Sequence, residues 1–151
     1  MKKPSLVEVT KKFLKEKGVK LPPTPEGEFE WSDITKVSDR RLGELHQQAI
    51  VWEEYVKTEA TLADIERSAF EYKLETLSAE VLLTINSSTY SSVQERKSVK
   101  DADKSVKQLK QKLLIAEAKY KLLDVIAKGY ENKSFVISRE ITRRRTLRDN
   151  E

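Results

Sequence analysis

The most regular pattern of apolar residues in the chain lies between residues 99 and 130. Apolar side chains recur there at alternating spacings of three and four, at Val99, Ala102, Val106, Leu109, Leu113, Ala116, Tyr120, Leu123, Ala127 and Tyr130. These are the spacings of an a/d seam on a helix that packs against a long helical partner. Further apolar residues beside the seam widen the stripe, so we expect a second subunit to pack against this helix as well.

A second long apolar pattern runs from Ser38 or Asp39, either of which can cap a helix, as far as Ile85. It passes through Leu42, Leu45, Ala49, Trp52 and Val56 and resumes in a shifted phase from Leu62, through Ile65, Leu74, Leu77 and Val81. The hydroxyl-rich segment 86–92 then interrupts it. Two long helices on either side of a short loop predict an antiparallel helical hairpin.

Shorter elements are predicted at both ends of the chain. Ser5 and Glu8 have the spacing of a capping box before an amphipathic run, and Gly18 is placed to end that helix. Three prolines within 22–25 indicate an extended connector, and Ser134 or Ser138 can cap a last short helix. We therefore expect an oligomeric, all-α protein in four segments: an N-terminal amphipathic helix (1–18), a Pro-rich and acidic-aromatic linker (19–37), the long hairpin core (38–133) and an Arg-rich C-terminal helix (134–151).

Composition narrows the chemistry that this chain of 151 residues can perform. It has no Cys and one His, which excludes disulfides, thiol nucleophiles and multi-His metal centres. No phosphate-binding glycine loop, metalloprotease helix or nucleophile elbow is present. We expect a non-enzymatic protein with no catalytic residue, metal or cofactor. It also lacks an apolar run long enough for a membrane span, so we expect a cytoplasmic location, in the host cell's cytoplasm if the protein is viral.

The formal net charge of +4 hides a strong asymmetry along the chain. Residues 1–25 have seven basic and two acidic side chains (+5), residues 26–95 have six and fifteen (−9), and residues 96–151 have sixteen and eight (+8). Basic segments attract phosphate backbones, and they can equally neutralise acidic segments of the same chain or of another subunit. Both interpretations remain open at this point.

Two groups of basic residues are candidates for nucleic-acid binding. On a continuous seam helix, four lysines take outward b and f positions and form one exposed stripe: Lys97, Lys100, Lys104 and Lys107. The C-terminal segment adds five arginines, whose planar guanidinium groups contact phosphates and stack on bases: Arg139, Arg143, Arg144, Arg145 and Arg148. The alternatives are a solvated helix face for the lysines and a clamp onto an acidic protein surface for the arginines. No motif for reading double-stranded DNA is present, so we expect any binding to be nonspecific and to single strands.

The order of these features resembles the UvsY-type recombination mediators of large tailed bacteriophages. The resemblance lies in the segment Asp101–Val106 before an amphipathic helix, in Lys133-Ser134-Phe135-Val136-Ile137 before a basic helix, and in the long helix that starts near Leu45 and His46. It spans roughly residues 40–145. It implies a helical subunit in a ring of several copies, which binds single-stranded DNA and helps a RecA-like recombinase displace single-strand-binding protein.

The resemblance also implies an assembly role for Phe135 and Ile137. Together with the seam, this gives the expected oligomer interface: Val99, Val106, Leu109, Leu113, Tyr120, Leu123, Phe135 and Ile137. The chain departs from the family in two places. The family's basic motif late in the first long helix is replaced by Leu77-Ser78-Ala79-Glu80-Val81, and the N-terminal helix and proline linker are additional. The alternative function is a helical virion structural or assembly protein, such as an adaptor, scaffold or neck component, with the same charges in subunit contacts.

Overall fold

The computed structural model describes residues 5–21, 33–85, 89, 90 and 92–150. These residues form helices and no strand. The elements are α1 (Leu6–Glu16), a 3₁₀ turn (Ile34–Lys36), α2 (Asp39–Thr84), α3 (Val93–Ala102) and α4 (Lys104–Asp149). The helices α2 and α4 are each 46 residues long and pack together. The prediction of an all-α chain with two long packed helices is confirmed.

The chain divides into two compact units, and both long helices contribute to each. Unit 1 comprises Met1–Val19 and Thr61–Tyr120, and unit 2 comprises Lys20–Ala60 and Lys121–Glu151. The four predicted segments therefore do not coincide with the units of the fold. The helix α1 is grouped with the middle of the chain, where its Leu14 side chain is completely buried.

Local capping chemistry sets the starts of the helices. Ser5 and Glu8 form the predicted capping box: the Glu8 N–H donates to Ser5 Oγ at 3.3 Å, and the Ser5 N–H donates to Glu8 Oε2 at 2.7 Å. Gly18 has a φ of 72°, the left-handed conformation that ends many helices. Ser38 caps α2 by accepting a hydrogen bond from the Arg41 N–H at 3.3 Å. A second capping box at Ser92 and Glu95 starts α3, and its S-x-x-E signature was readable in the sequence.

In unit 1, α2 and α4 bury small and branched side chains against their own chain. Ala63 and Val106 are completely inaccessible, and Ala116 is nearly so. Lys119 Nζ lies 3.3 Å from Glu66 Oε2, and the Arg67 guanidinium lies 5.8 Å from the centroid of the Tyr120 ring. Glu66 is near the start of its segment and Lys119 near the end of the other, as antiparallel packing requires.

In unit 2, an apolar cluster joins the two long helices to the 3₁₀ turn. Leu42, Leu45 and Ile137 are its buried members, and Ile34, Val37 and Ile141 pack against them. Ion pairs on either side of the cluster link Asp39 to Arg144 at 2.7 Å and Lys57 to Glu131 at 3.9 Å. The later residue of α2 pairs with the earlier residue of α4, so the two helices are antiparallel in this unit.

The prediction of a separate C-terminal helix at 134–151 is wrong, because α4 continues without a break through Gly129 and Ser134. The seam itself explains this continuity. Beyond Tyr130 it goes on through Ser134, Ile137 and Ile141 at the same spacings, and each of these side chains is buried or half-buried. A helix break would remove Ile137 from the cluster of unit 2, whereas one glycine inside a helix costs only about 1 kcal/mol.

The seam helix is also not continuous at its start. Asp103 has a ψ of 133°, so it separates α3 from α4. Its Oδ1 accepts hydrogen bonds from the N–H groups of Ser105 at 2.8 Å and Val106 at 3.1 Å, which makes Asp103 the N-cap of α4. Short acidic side chains compete in this way with the helical backbone for hydrogen bonds. Val99 and Ala102 therefore lie on a different helix from the rest of the seam.

Candidate nucleic-acid interface

The break at Asp103 divides the predicted lysine stripe. Lys97 and Lys100 lie on α3, and Lys104 and Lys107 lie on α4, so the prediction of one continuous stripe is wrong. Lys97, Lys104 and Lys107 are exposed, and none forms an ion pair with another described residue. Lys100 is half-buried, and its Nζ lies 3.4 Å from Asp101 Oδ1.

Asp101 neutralises part of this basic region within unit 1. Lys110 Nζ donates to Asp101 Oδ1 at 2.9 Å. The hydrogen bond from Lys110, together with the nearby charge of Lys100, lowers the pKa of Asp101 below its usual value of 3.8. The lysines of the predicted stripe that remain available for an external anion on α4 are therefore Lys104 and Lys107.

Arg144 holds the start of α2 and the 3₁₀ turn against α4. Its side chain is 16% exposed, and all five of its N–H donors have acceptors. The acceptors, at 2.7–3.1 Å, are the carboxylates of Glu140 and Asp39 and the backbone carbonyls of Ile34, Thr35 and Val37. Arg144 therefore has no donor left for a phosphate in this structure. An isolated sequence cannot reveal this, because four of the five acceptors lie more than 100 residues away along the chain.

Glu140 is the second part of the same clamp. Its side chain is 7% exposed, and it accepts two hydrogen bonds from Arg143 and one from Arg144, all at 2.8 Å. These hydrogen bonds, the Arg143 pair first, lower the pKa of Glu140 from 4.5 to about 2. Arg148 also belongs to the clamp, because its Nη2 lies 3.0 Å from Asp39 Oδ2. Three of the five candidate arginines are thus ion-paired within unit 2.

A small cleft adjoins the clamp in unit 2. Its volume is about 190 Å³, and its lining consists of two apolar side chains, one glycine, one carboxylate and three arginines: Asp39, Leu42, Gly43, Ile141, Arg144, Arg145 and Arg148. Arg145 is exposed and forms no ion pair with another described residue. Asp39 also lines the cleft, so the electrostatic potential in the cleft is less positive than the three arginines alone would produce.

The outward face of α4 in unit 2 combines cations with exposed apolar side chains. Lys121, Val125, Phe135 and Arg139 each lie two positions before a residue of the buried seam, and all four are exposed. Phe135 is 61% exposed, and the Arg139 guanidinium lies 5.6 Å from the centroid of its ring. We call Lys121, Val125, Phe135 and Arg139 the outer face of α4. It contains an aromatic ring with an adjacent arginine, and none of its four residues is acidic.

The predicted oligomer interface consists largely of residues that pack inside the chain. Val106, Leu123 and Ile137 are completely buried. Leu109, Leu113, Tyr120 and Val99 are half-buried. Most of this seam therefore belongs to the packing of α4 within its own chain, and a second subunit cannot reach its buried members. Phe135 is the exception, since it is exposed.

The long helices carry opposite net charges. Thirteen basic and five acidic residues give α4 a formal charge of +8, and five basic and ten acidic residues give α2 a charge of −5. Part of the asymmetry seen along the sequence is therefore compensated between two packed helices. The excess on α4 is what remains for a polyanionic ligand.

Comparisons of the chain with protein-family models, with curated protein sequences and with solved structures give no match. Within the residues that the structure describes, no group of His, Cys, Asp and Glu side chains could hold a metal ion. No helix in the described ranges has both the length and the apolar character needed to cross a membrane.

Proposed function

We propose that this protein binds single-stranded DNA nonspecifically through the outer face of α4, and that it is a recombination mediator that helps load a RecA-like recombinase in place of single-strand-binding protein. The observation that carries the binding proposal is the exposed Phe135 ring beside the Arg139 guanidinium, on a face that also includes Lys121. Lys104 and Lys107 in unit 1 and Arg145 in unit 2 supply further exposed cations.

This combination suits single strands for a physical reason. An unpaired base has a free π-face that stacks on an aromatic ring, with a contribution of about 1–3 kcal/mol per base. The adjacent guanidinium and ammonium groups neutralise phosphates without reading base identity. In a duplex the bases are already stacked on each other, so Phe135 gains much less from double-stranded DNA.

The mediator role rests on the resemblance of Asp101–Val106 and Lys133–Ile137 to the UvsY-type family. To help a recombinase replace single-strand-binding protein, a mediator must hold the DNA strand through several weak contacts. Several copies of such a weak site in one assembly would bind a strand with high avidity while each contact stays readily reversible.

Fluorescence anisotropy with a labelled oligothymidine tests the binding proposal at low salt. We expect Arg139→Ala to weaken binding several-fold, whereas Arg40→Ala on α2, which also removes one exposed arginine, should have little effect. Phe135→Leu should weaken binding, and Phe135→Tyr should retain it because the ring is preserved. Equal effects of Arg139→Ala and Arg40→Ala would show that only net charge matters and would contradict an interface on this face.

A virion structural or assembly protein is the second candidate function. The observation on its side is the clamp: Arg143, Arg144 and Arg148 are already paired with carboxylates of the same chain, which leaves fewer arginines for DNA. On this alternative, oligonucleotide binding is absent even at low salt. Stimulation of a RecA-like recombinase on DNA coated with single-strand-binding protein should occur only if the mediator proposal holds.

A further inference from the structure

The part of α2 in unit 1 has apolar residues on two nearly opposite faces. One face, which includes Ala63, Phe70 and Leu74, is buried or half-buried. The other face is exposed at every position and follows spacings of three and four: Leu62, Ile65, Ala69, Tyr72, Thr76, Ala79 and Leu83. We call these seven residues the outer seam of α2. The sequence pattern joins Leu62 and Ile65 with Leu74 in one apolar run, whereas the structure places Leu62 and Ile65 on the exposed face and Leu74 on the half-buried one.

The outer seam has the composition of a buried helix face. None of its seven residues is charged, and its large members Leu62, Ile65, Tyr72 and Leu83 are 56%, 62%, 71% and 86% exposed. Thr76 Oγ1 already donates to the Tyr72 carbonyl at 3.0 Å, so its hydroxyl can be covered without losing its hydrogen bond. A solvated helix face usually carries charged residues, whereas an uncharged seam with heptad spacing is typical of a helix that packs against another helix.

We infer that the outer seam of α2 packs against the same seam of a second copy of this chain, with the two helices antiparallel. One register of the two helices matches large side chains to small ones and also has two-fold symmetry. It places Leu62 opposite Ala79 of the second copy, Ile65 opposite Thr76, and Ala69 opposite Tyr72. Each layer then pairs a large side chain with a small one, and a two-fold axis repeats every layer, as an isologous interface requires.

The charges beside the seam favour this orientation over a parallel one. In a parallel pair of helices in register, Glu75 would face Glu80 of the other copy, and like charges at these flanking positions repel. In the antiparallel register, Glu66 lies beside Lys73 of the second copy, and this attraction occurs twice. It offsets the repulsion between Glu59 and Glu80, which the same register places side by side, whereas the parallel pair has no such attraction. Within its own chain, Glu66 Oε2 lies 3.3 Å from Lys119 Nζ, which orients the carboxylate beside the seam.

Sedimentation equilibrium without nucleic acid tests the association independently of the proposed function. We expect a dimer, or a larger assembly built from dimers, for the parent chain. Ile65→Glu and Tyr72→Glu should shift it to smaller species while circular dichroism stays helical. Val93→Glu on α3, which places the same charge at another exposed apolar position, should leave the assembly unchanged. A parent chain that sediments as a monomer, or seam variants that assemble normally, would overturn the inference.

Disulfide cross-linking tests the orientation, because the chain has no cysteine of its own. Leu62→Cys and Ala79→Cys should form a mixed cross-linked dimer when combined and oxidised. Neither should cross-link with itself, since the antiparallel register separates identical positions by about 25 Å along the helix. Self-cross-linking of each variant would show a parallel pair, and no cross-link in the mixture would exclude this register.

Discussion

Arg144 joins α4 to the start of α2 and to the 3₁₀ turn through hydrogen bonds from its guanidinium group. It joins Glu140 on its own helix to Asp39 and to three backbone carbonyls around the start of α2. A guanidinium can satisfy this arrangement because its five donors point outward in one plane, and no other side chain has that geometry. In the sequence it is one arginine among five. Glu140, four residues before it, is its nearby partner, and its other acceptors are distant along the chain.

Replacement of Arg144 should therefore destabilise the protein even when the charge is kept. We expect Arg144→Lys to lower the Tm by several degrees, because an ammonium group has three donors for five acceptor sites. Arg145→Lys, one residue away and exposed, is the matched control and should leave the Tm nearly unchanged. Thermal unfolding followed by circular dichroism measures both, and equal Tm values for the two variants would contradict the clamp.

Glu140 makes the stability of the protein depend on pH in the acid range. Its pKa is about 2 in the folded chain, against an ordinary value of 4.5. A carboxyl whose pKa is lowered by folding stabilises the protein above the ordinary value, and this contribution is lost as the pH falls from 4.5 towards 2. Asp39, whose pKa is lowered mainly by the hydrogen bond from Arg144, acts in the same direction.

We expect the Tm of the parent protein to fall over this pH range. Glu140→Gln should have a lower Tm at neutral pH and a smaller fall on acidification, because the titrating group is gone. Glu54→Gln changes an exposed carboxylate and should keep the acid dependence of the parent. If Glu140→Gln and the parent lose stability in parallel on acidification, Glu140 is not the group responsible.

At the scale of elements, α4 differs most from its expected form. The seam from Val106 to Tyr120 could be identified in the sequence because its spacing has no error. The two ends of α4 could not be, for opposite reasons. Near Asp103 a local capping interaction is stronger than the heptad pattern, and near Gly129 the tertiary packing of Ile137 is stronger than a local helix-breaking signal.

A substitution at Gly129 tests the continuity of α4. The glycine is exposed within the helix, and a Cβ added there meets no atom within 4 Å. Gly129→Ala should therefore stabilise the protein by about 0.5–1 kcal/mol, the usual difference between these residues inside a helix. Urea unfolding gives the value. A destabilised Gly129→Ala variant would indicate that the backbone at this position is not helical.

The α2 helix shows a further limit of sequence reasoning. Both of its apolar faces have heptad spacing, and along a single sequence they can be joined into one pattern with a shifted phase. Only the positions of the packed neighbours separate Ala63, which is completely buried, from Leu62 and Ile65, which are exposed. The all-α class, the main caps and the two long helices were predictable, whereas the assignment of each face required the structure.

At the scale of the whole molecule, charge is organised by helix. The acidic residues of α2 and the basic residues of α4 balance in part, and the clamp in unit 2 uses three arginines that the sequence presented as candidates for DNA. The proposed binding site is consequently smaller than the basic content suggests. It centres on Phe135, Arg139 and Lys121, with exposed lysines elsewhere on α4.

The dependence of oligonucleotide affinity on salt concentration tests whether this site on α4 binds the phosphates of single-stranded DNA. We expect the parent protein to bind single-stranded oligonucleotides at low salt, with log K falling linearly against log salt by about 0.7 for each phosphate neutralised. Arg139→Ala should make this slope shallower by about the same amount, whereas Arg40→Ala should leave it unchanged. Absence of measurable binding at low salt, or an affinity that does not change with salt, would contradict the account.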